Sequence, residues 1–312
     1  MDNKELSGGI KRRAAELGFN ICGITGAREL TEYGERLRAW LDAGMNDRMG
    51  YLARDIDKRT DPGKLFGDAR SLVVAGLSYY TGLKQKDPEA PRLSRYTYGT
   101  DYHDVIPSKL AILLEWIQSV RPGTEGRAFC DSSPITEKPW GREAGLGWQG
   151  RHSILINREI GSFFFIGILI LNTGLEYDSP CTEDHCGNCR QCIDACPTGA
   201  INDNRTIDAR KCIANLTIEN RGPVPEEFIP KLGGRIYGCD RCQEVCPWNR
   251  DLKLPVTPEF EIDGEIAGMS LGDWRNLSPE RFSRLFSMTS MRRISYEKFM
   301  SNIEAAIKSV QL

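Results

Sequence analysis

The stretch CGNCRQCIDACP, Cys186 to Pro197, sets Cys186, Cys189, Cys192 and Cys196 in the spacing C-x2-C-x2-C-x3-C-P. Two-residue gaps let three thiolates of one tight loop converge on three corners of a four-iron cube, while the fourth, at the start of a helix, points elsewhere. Further along, CDRCQEVCP, Cys239 to Pro247, has the related form C-x2-C-x3-C-P, and Cys212 lies between the two runs. In two-cluster ferredoxins the last cysteine of a run serves the other cluster. The expected wiring is therefore Cys186, Cys189, Cys192 and Cys246 for one 4Fe-4S cluster, and Cys196, Cys212, Cys239 and Cys242 for the other.

Paired C-x2-C groups also build tetrahedral zinc sites, but zinc calls for neither a third close cysteine nor two Cys-Pro endings. A disulfide framework needs an oxidising compartment, and the start MDNKELSGGIKRRAAELGF has no apolar export segment. Cys22, Cys130 and Cys181 read as ordinary thiols. Two neighbouring clusters imply an electron relay, because a structural staple needs only one metal site. A relay needs a terminus, and the long segment before the cysteines exceeds what a simple carrier requires.

At 312 residues the chain has room for two modest domains. Its 40% hydrophobic and 27% charged residues exclude disordered and fibrous classes. A formal charge of -2 gives no global basic character, so nucleic acid would have to meet a local patch. The most apolar run, Gly161 to Leu171, is too short for a membrane-spanning helix, and we expect a cytoplasmic protein with no membrane contact. No heptad pattern or long apolar stripe is present, so a monomer is expected.

Residues 4–18 carry helical apolar spacing, and Phe19 to Ile24 reads as a buried strand. Ser71 to Tyr79, after the turn formers Asp61, Pro62 and Gly63, reads as a second strand. Ile106, Leu110, Leu113, Ile117 and Val120 predict a helix from Asp104 to Val120, with Pro107 in its first turn. Ile154 to Asn157 and Phe163 to Leu171 read as a hairpin across REIGS that completes the sheet. In the tail, LSPERFSRLFSM and SYEKFMSNIEAAIKSV each join a capping serine to helical spacing. The expected organisation is α+β: a sheet domain over 1–175, a two-cluster ferredoxin-like domain over 176–250 and a helical tail over 251–312.

The strand-like stretch Ala128 to Cys130 ends at Asp131, and the loop that follows, SSPITEKPWGREAGLGWQG from Ser132 to Gly150, is dense in glycine and tryptophan. Strand-end loops often carry sites. Glycines here allow a flat, bulky ligand to approach, and burial would raise the Asp131 pKa and make it an acid; Asp131 can equally cap the following turn. No G-x-G-x-x-G or G-x4-G-K-[ST] run supports a nicotinamide or a nucleoside triphosphate. The histidines, His103, His152 and His185, lack the spacing of a zinc pair and each reads as structural.

With these pieces in order, the chain resembles the epoxyqueuosine reductases, cobalamin and iron-sulfur enzymes that finish queuosine in the tRNA anticodon. The resemblance is carried by RMGYLARDIDKRTDP, RYTYGTDYH (Arg95 to His103), Asp131 with the SSPITEKPWGREAGLGWQGRHSILI that follows it, GSFFFIG, DHCGNCRQCIDACPTGAI and IYGCDRCQEVCPWN. It implies that the first domain is a nitroreductase-like α/β sheet domain that binds cobalamin with no protein histidine on cobalt. The histidine-donating pattern D-x-H-x-x-G is begun by Asp101 and His103 and broken by Ile106. The resemblance further implies Asp131 as proton donor, with Arg54, Tyr102 and His152 beside the corrin or substrate.

Fuller-length members of the family extend into a C-terminal helical-repeat domain that helps grip tRNA. Here Arg210, Lys211, Arg221, Lys231, Arg235, Arg241 and Arg250 form either a phosphate-contacting face or a solvated mixed-charge face, since Glu219, Glu226, Glu227, Asp240 and Glu244 lie among them. The function expected is reduction of epoxyqueuosine to queuosine in tRNA, with electrons from an external reductant such as a flavodoxin or ferredoxin. Two alternatives are a cobalamin-dependent reductase of small molecules, akin to a reductive dehalogenase, and an electron-transfer module with no substrate of its own.

Overall fold

The computed structural model describes residues 2–252 and 257–311; residues 253–256 of the expected tail lie outside the described residues. Helix α1 (Asn3–Glu16) starts at a reciprocal cap, in which Asp2 accepts from the Glu5 amide and Glu5 accepts from the Asp2 amide. Its buried Leu6, Ile10 and Ala14 recur one helical turn apart. Strand β1 (Ile21–Gly26) leads through α2 (Thr31–Asp42) and α3 (Ile56–Thr60) to β2 (Ser71–Ser78), which is buried at every residue.

After a short strand β3 (Arg92–Leu93), helix α4 (Tyr102–Val120) begins at an Asp101 cap and buries Ile106, Leu110, Leu113 and Ile117. The helix starts two residues earlier than its apolar spacing indicates. Pro107 therefore falls past the first turn, a correction to the sequence reading that costs the helix one backbone bond. Strand β4 (Gly126–Phe129), α5 (Glu137–Glu143), β5 (Trp148–Gln149), β6 (Leu155–Ile156) and β7 (Phe164–Leu171) follow.

The main sheet runs β1-β2-β7-β4 and is antiparallel throughout. Val73, Ala75, Leu77, Leu169 and Leu171 face the core with α1 and α4, while Leu72, Val74, Ile168 and Ile170 face the core with Trp140 of α5. Both faces of β2 and β7 are thus covered, which is why these strands read as unbroken apolar runs. The expected hairpin is corrected. Strand β7 pairs with β2 and β4, whereas β6 pairs with β5; only the Asn157–Gly161 bridge joins the two segments. The short REIGS turn forms, but the strands diverge beyond it to serve different sheets.

The cysteine segment carries α6 (Gln191–Asp194), α7 (Ile213–Ile218), β8 (Arg235–Tyr237) and α8 (Arg241–Glu244). The tail adds α9 (Gly264–Gly268), α10 (Leu271–Arg275), α11 (Pro279–Phe286) and α12 (Tyr296–Gln311), with Ser278 capping α11 as its sequence predicts. Trp274, Phe286 and Phe299 form an aromatic core that also takes in Leu93, Tyr98, Ile236 and Tyr237. Strand β3 pairs in parallel with β8, and Asn302 of α12 donates to the carbonyls of Thr217 and Ile236 at 2.8 and 2.9 Å. The tail is therefore packed against both earlier segments. No helix among the described residues is long and apolar enough to cross a membrane.

Candidate active site and cluster-binding segment

The short helices of the cysteine segment gather its thiols into two groups. Cys246 lies within electrostatic reach of Cys186, Cys189 and Cys192. Cys212 lies within reach of Cys196, Cys239 of Cys212, and Cys242 of Cys239 and Cys212 and, more weakly, of Cys192 across the two groups. Every cysteine is free of disulfides. Burial pushes the thiols of Cys239 and Cys246 up to about 11, so their thiolate forms call for a cationic partner.

Backbone N–H groups already point at the sulfurs: Ala200 N donates to Cys196 Sγ at 3.3 Å, and backbone donors of Trp248, Ala214, Asn215 and Arg241 serve Cys246, Cys212 and Cys239. Such donors stabilise thiolate bound to iron. Among the described residues no three His, Cys, Asp or Glu side chains close around a single metal ion. Two sets of neighbouring thiols, each met by backbone N–H donors, have the donor chemistry that a four-iron cluster takes.

Asp131 follows β4 in the left-handed region, φ +52°, which aspartate tolerates better than most residues. Its N–H donates to a Glu137 carboxylate oxygen at the start of α5, fixing the loop. Its Oδ2 accepts from Tyr102 Oη at 2.6 Å and lies 3.1 Å from His103 Nε2. The other ring nitrogen, Nδ1, lies 2.7 Å from Oδ1 of Asp101, a side chain only 3% exposed. Asp101 in turn receives Arg292 Nε at 3.0 Å on its second oxygen. The Tyr102 ring is held by stacking on Phe165, at 4.1 Å between centroids and 11° between planes.

These contacts set the charges. Burial pulls His103 down, but bonds to Asp101 and Asp131 outweigh it and raise it to about 9, so the imidazole is charged at neutral pH. Burial pushes Asp131 up, yet donation from His103 and Tyr102 and the charges of His103 and Arg293 hold it down at about 2. The expectation of a raised Asp131 is thus corrected: its carboxyl accepts from two donors and faces two cationic side chains, which together favour the ionised form over the effect of burial. The raised carboxyl is Glu137, pushed to about 8 by burial and by the Asp131 charge beside it.

Asp131, Glu137 and Lys138 stand where two cavities meet. One, of about 630 Å³, has Arg59, Lys138, Arg292 and Arg293 on its wall together with Asp101, Asp131 and Glu137, a mixed-charge rim in which Arg292 and Arg293 are ion-paired. The other, of about 220 Å³, is walled by Tyr79, Tyr96, Tyr102, Phe164 and Phe165. Directly behind that wall, Gln243 of α8 accepts from Ser162 Oγ at 2.9 Å and donates to Tyr79 Oη at 3.4 Å. The same helix carries Cys242, so the second thiol group backs onto the aromatic cavity.

Of the residues named from sequence, Asp131 and Tyr102 are brought together. Arg54 is exposed and lines neither cavity, although Tyr51, Leu52 and Arg59 of the same motif line the larger one. His152 lies 2% exposed in the turn between β5 and β6; its Nδ1 accepts from Ile154 N, and burial pushes it down to about 4. His103, expected to be structural, instead touches Asp131, a role signalled only by its place beside Tyr102. Glu137, Arg292 and Arg293 carry no local signal, because folding alone brings them to Asp131. The basic residues read as either a phosphate-contacting or a solvated mixed-charge face are partly paired within the chain: Arg210 and Lys211 with Asp208, and Arg235 with Glu244.

Residues 59–132 match the family model described as Epoxyqueuosine reductase QueG, DUF1730, and residues 185–249 match a 4Fe-4S double cluster binding domain. The chain is 44% identical over 307 residues to an epoxyqueuosine reductase of Leadbetterella byssophila, covering 98% of this chain and 100% of that one. It superposes on an epoxyqueuosine reductase bound to an epoxyqueuosine-modified tRNA-Tyr stem loop with a TM-score of 0.88 and 30% identity, covering 98% of this chain and 81% of that one. A Bacillus subtilis epoxyqueuosine reductase, with its aspartate-bearing catalytic loop swung out of the active site, superposes with a TM-score of 0.83 at 30% identity, covering 98% of this chain and 81% of that one. This chain belongs to the epoxyqueuosine reductase family.

Proposed function

We propose that the chain reduces epoxyqueuosine at the wobble position of tRNA to queuosine, using two 4Fe-4S clusters and cobalamin. The observation that carries this reading is the placement of Asp131, held by His103 and Tyr102 where a large polar cavity meets an aromatic one backed by the Cys242 helix. The reaction adds two electrons and two protons to an epoxide, leaves a carbon–carbon double bond and releases the oxygen as water. When bound, the clusters would supply single electrons and cobalamin a low-valent cobalt centre as reductant.

The aromatic wall from Tyr79 to Phe165 would hold the flat face of a corrin, and both nitrogens of His103 are engaged by carboxylates and so are not free to ligate a metal. Crosswise, Cys186, Cys189, Cys192 and Cys246 would hold one cluster, and Cys196, Cys212, Cys239 and Cys242 the other. Arg59 and Lys138 suit the phosphates that flank a base splayed out of a single-stranded loop, while on the same wall Arg292 is paired with Asp101 and Asp104 and Arg293 with Glu219.

Asp131 then passes a proton to the departing oxygen. Being ionised at rest, it draws that proton through its bond to charged His103, and Glu137, neutral near pH 7, holds a second within the same cavity. An external flavodoxin or ferredoxin supplies the electrons to a monomeric enzyme working in the cytoplasm, where tRNA is found.

The test is anaerobic incubation of the reconstituted protein with reductant and an epoxyqueuosine-containing tRNA stem loop, read by nucleoside mass spectrometry. Conversion by the parent and little by Asp131→Asn is expected. Equal conversion by both would remove Asp131 from its role, and none by either would refute the activity.

A further inference from the structure

We propose that the β5–β6 hairpin is a hydrogen-bond donor cap over the cluster held by Cys186, Cys189, Cys192 and Cys246, with the Trp148 indole N–H donating to a sulfur of that cluster. The inference rests on the wiring proposed above and deepens it by naming what sets the two clusters apart. Trp148 Nε1, Arg151 Nε and His152 Nε2 are all buried donors with no acceptor in the protein, and they lie together on this one hairpin. Buried donors are nearly always satisfied, so orphan donors at Trp148 and Arg151, both beside the Cys186 and Cys246 segment, point to an acceptor that the polypeptide does not itself supply, while His152 lies on the side of Lys138.

The hairpin is seated on that thiol group. Trp148 is 3% exposed and shares a small core with Ile156 and Cys246, against which Cys181, Cys186 and Trp248 pack. Its ring stands edge-on to His185, the residue before Cys186, at 4.7 Å and to Trp248, two positions past Cys246, at 4.9 Å. Arg151 Nη2 donates to the carbonyl of Gly187, inside the first cysteine run, at 2.7 Å. Gly147 lets β5 approach β6 closely, since a Cβ there would stand 2.0 Å from the Ile156 carbonyl oxygen.

An N–H bonded to a cluster sulfur stabilises the more negative, reduced form and so raises the reduction potential. The cap therefore gives the cluster of Cys246 a higher potential than it would otherwise have and leaves the cluster beside Tyr79 untouched.

The test uses the full chain with both clusters loaded and its iron content measured, followed by a redox titration monitored by electron paramagnetic resonance. Trp148→Phe keeps the ring and removes the donor; one midpoint is expected to move to more negative potential while the other stays. Trp274→Phe is the control, because its indole N–H also lacks a partner but lies in the aromatic core of the tail; both midpoints should stay. Should Trp148→Phe load less iron, pulsed resonance on the parent labelled with 15N-indole tryptophan reads the same bond as a nitrogen coupling to the reduced cluster. Unchanged midpoints at full iron, or no such coupling, overturn the donor role alone. A parent holding a single cluster overturns the wiring, and the proposal with it.

Discussion

Replacing Asp101 by asparagine is expected to shift the alkaline limb of the activity profile while leaving the rate at pH 6 nearly intact. Asparagine keeps the oxygen that caps α4 and removes the charge beside His103 Nδ1. His103 rises from 6.5 to about 9 against the pull of burial, and the bond to Asp101 is the largest of the raising causes. Removing the charge and so weakening that bond should lower His103 by roughly one unit, each unit being worth about 1.4 kcal/mol between the two protonation states. A raised histidine is charged below its ordinary pKa and loses its proton as pH rises through the folded value. At pH 8 the charged fraction would fall from about nine-tenths to roughly half or less, while at pH 6 it stays near one. The assay is kcat/KM for the stem loop from pH 6 to 9.5, with melting curves to check folding. A loss of equal size at every pH, or an unmoved alkaline limb, would refute His103 as the proton source.

Tyr102→Phe keeps the stack on Phe165 and removes one donor from Asp131, so a loss of roughly tenfold in kcat with an unchanged melting temperature is expected, the size of one charge-assisted hydrogen bond. Glu137 is raised from 4.5 to about 8, so the folded state binds more protons than the unfolded one in that window and loses stability as pH rises through it. Glu137→Gln removes this loss, and its melting temperature should gain on the parent between pH 5 and pH 8; a constant difference would contradict the shift. Gly147→Ala would drive a methyl group into the Ile156 carbonyl, and urea unfolding should show a loss of at least about 1–3 kcal/mol.

The cysteine runs are legible in the sequence because iron ligation fixes spacing within a few residues of chain, and helices α1, α4, α11 and α12 are legible because each buries one face. The pairing of β7 is not, because a strand covered on both faces shows no alternation and its partners cannot be told from its pattern. Asp131 is visible as a residue at a strand end, but its charge state is not. That state is set by His103, by Tyr102 and by Arg293, which lies far along the chain. Glu137 is invisible as a partner for the same reason: it lies only six positions on, yet its meaning comes from the left-handed turn at Asp131 that folds α5 back on the loop.

The crosswise wiring of eight thiols beside the Asp131 cavity is tested most directly by iron analysis and electron paramagnetic resonance on two double variants purified without oxygen. Cys186→Ala with Cys246→Ala should retain one cluster, about four irons per chain, because both belong to one group. Cys186→Ala with Cys196→Ala should damage both clusters, although those two residues share a single sequence run. The opposite pattern, one cluster kept when Cys186 and Cys196 are lost and none when Cys186 and Cys246 are, would contradict the account.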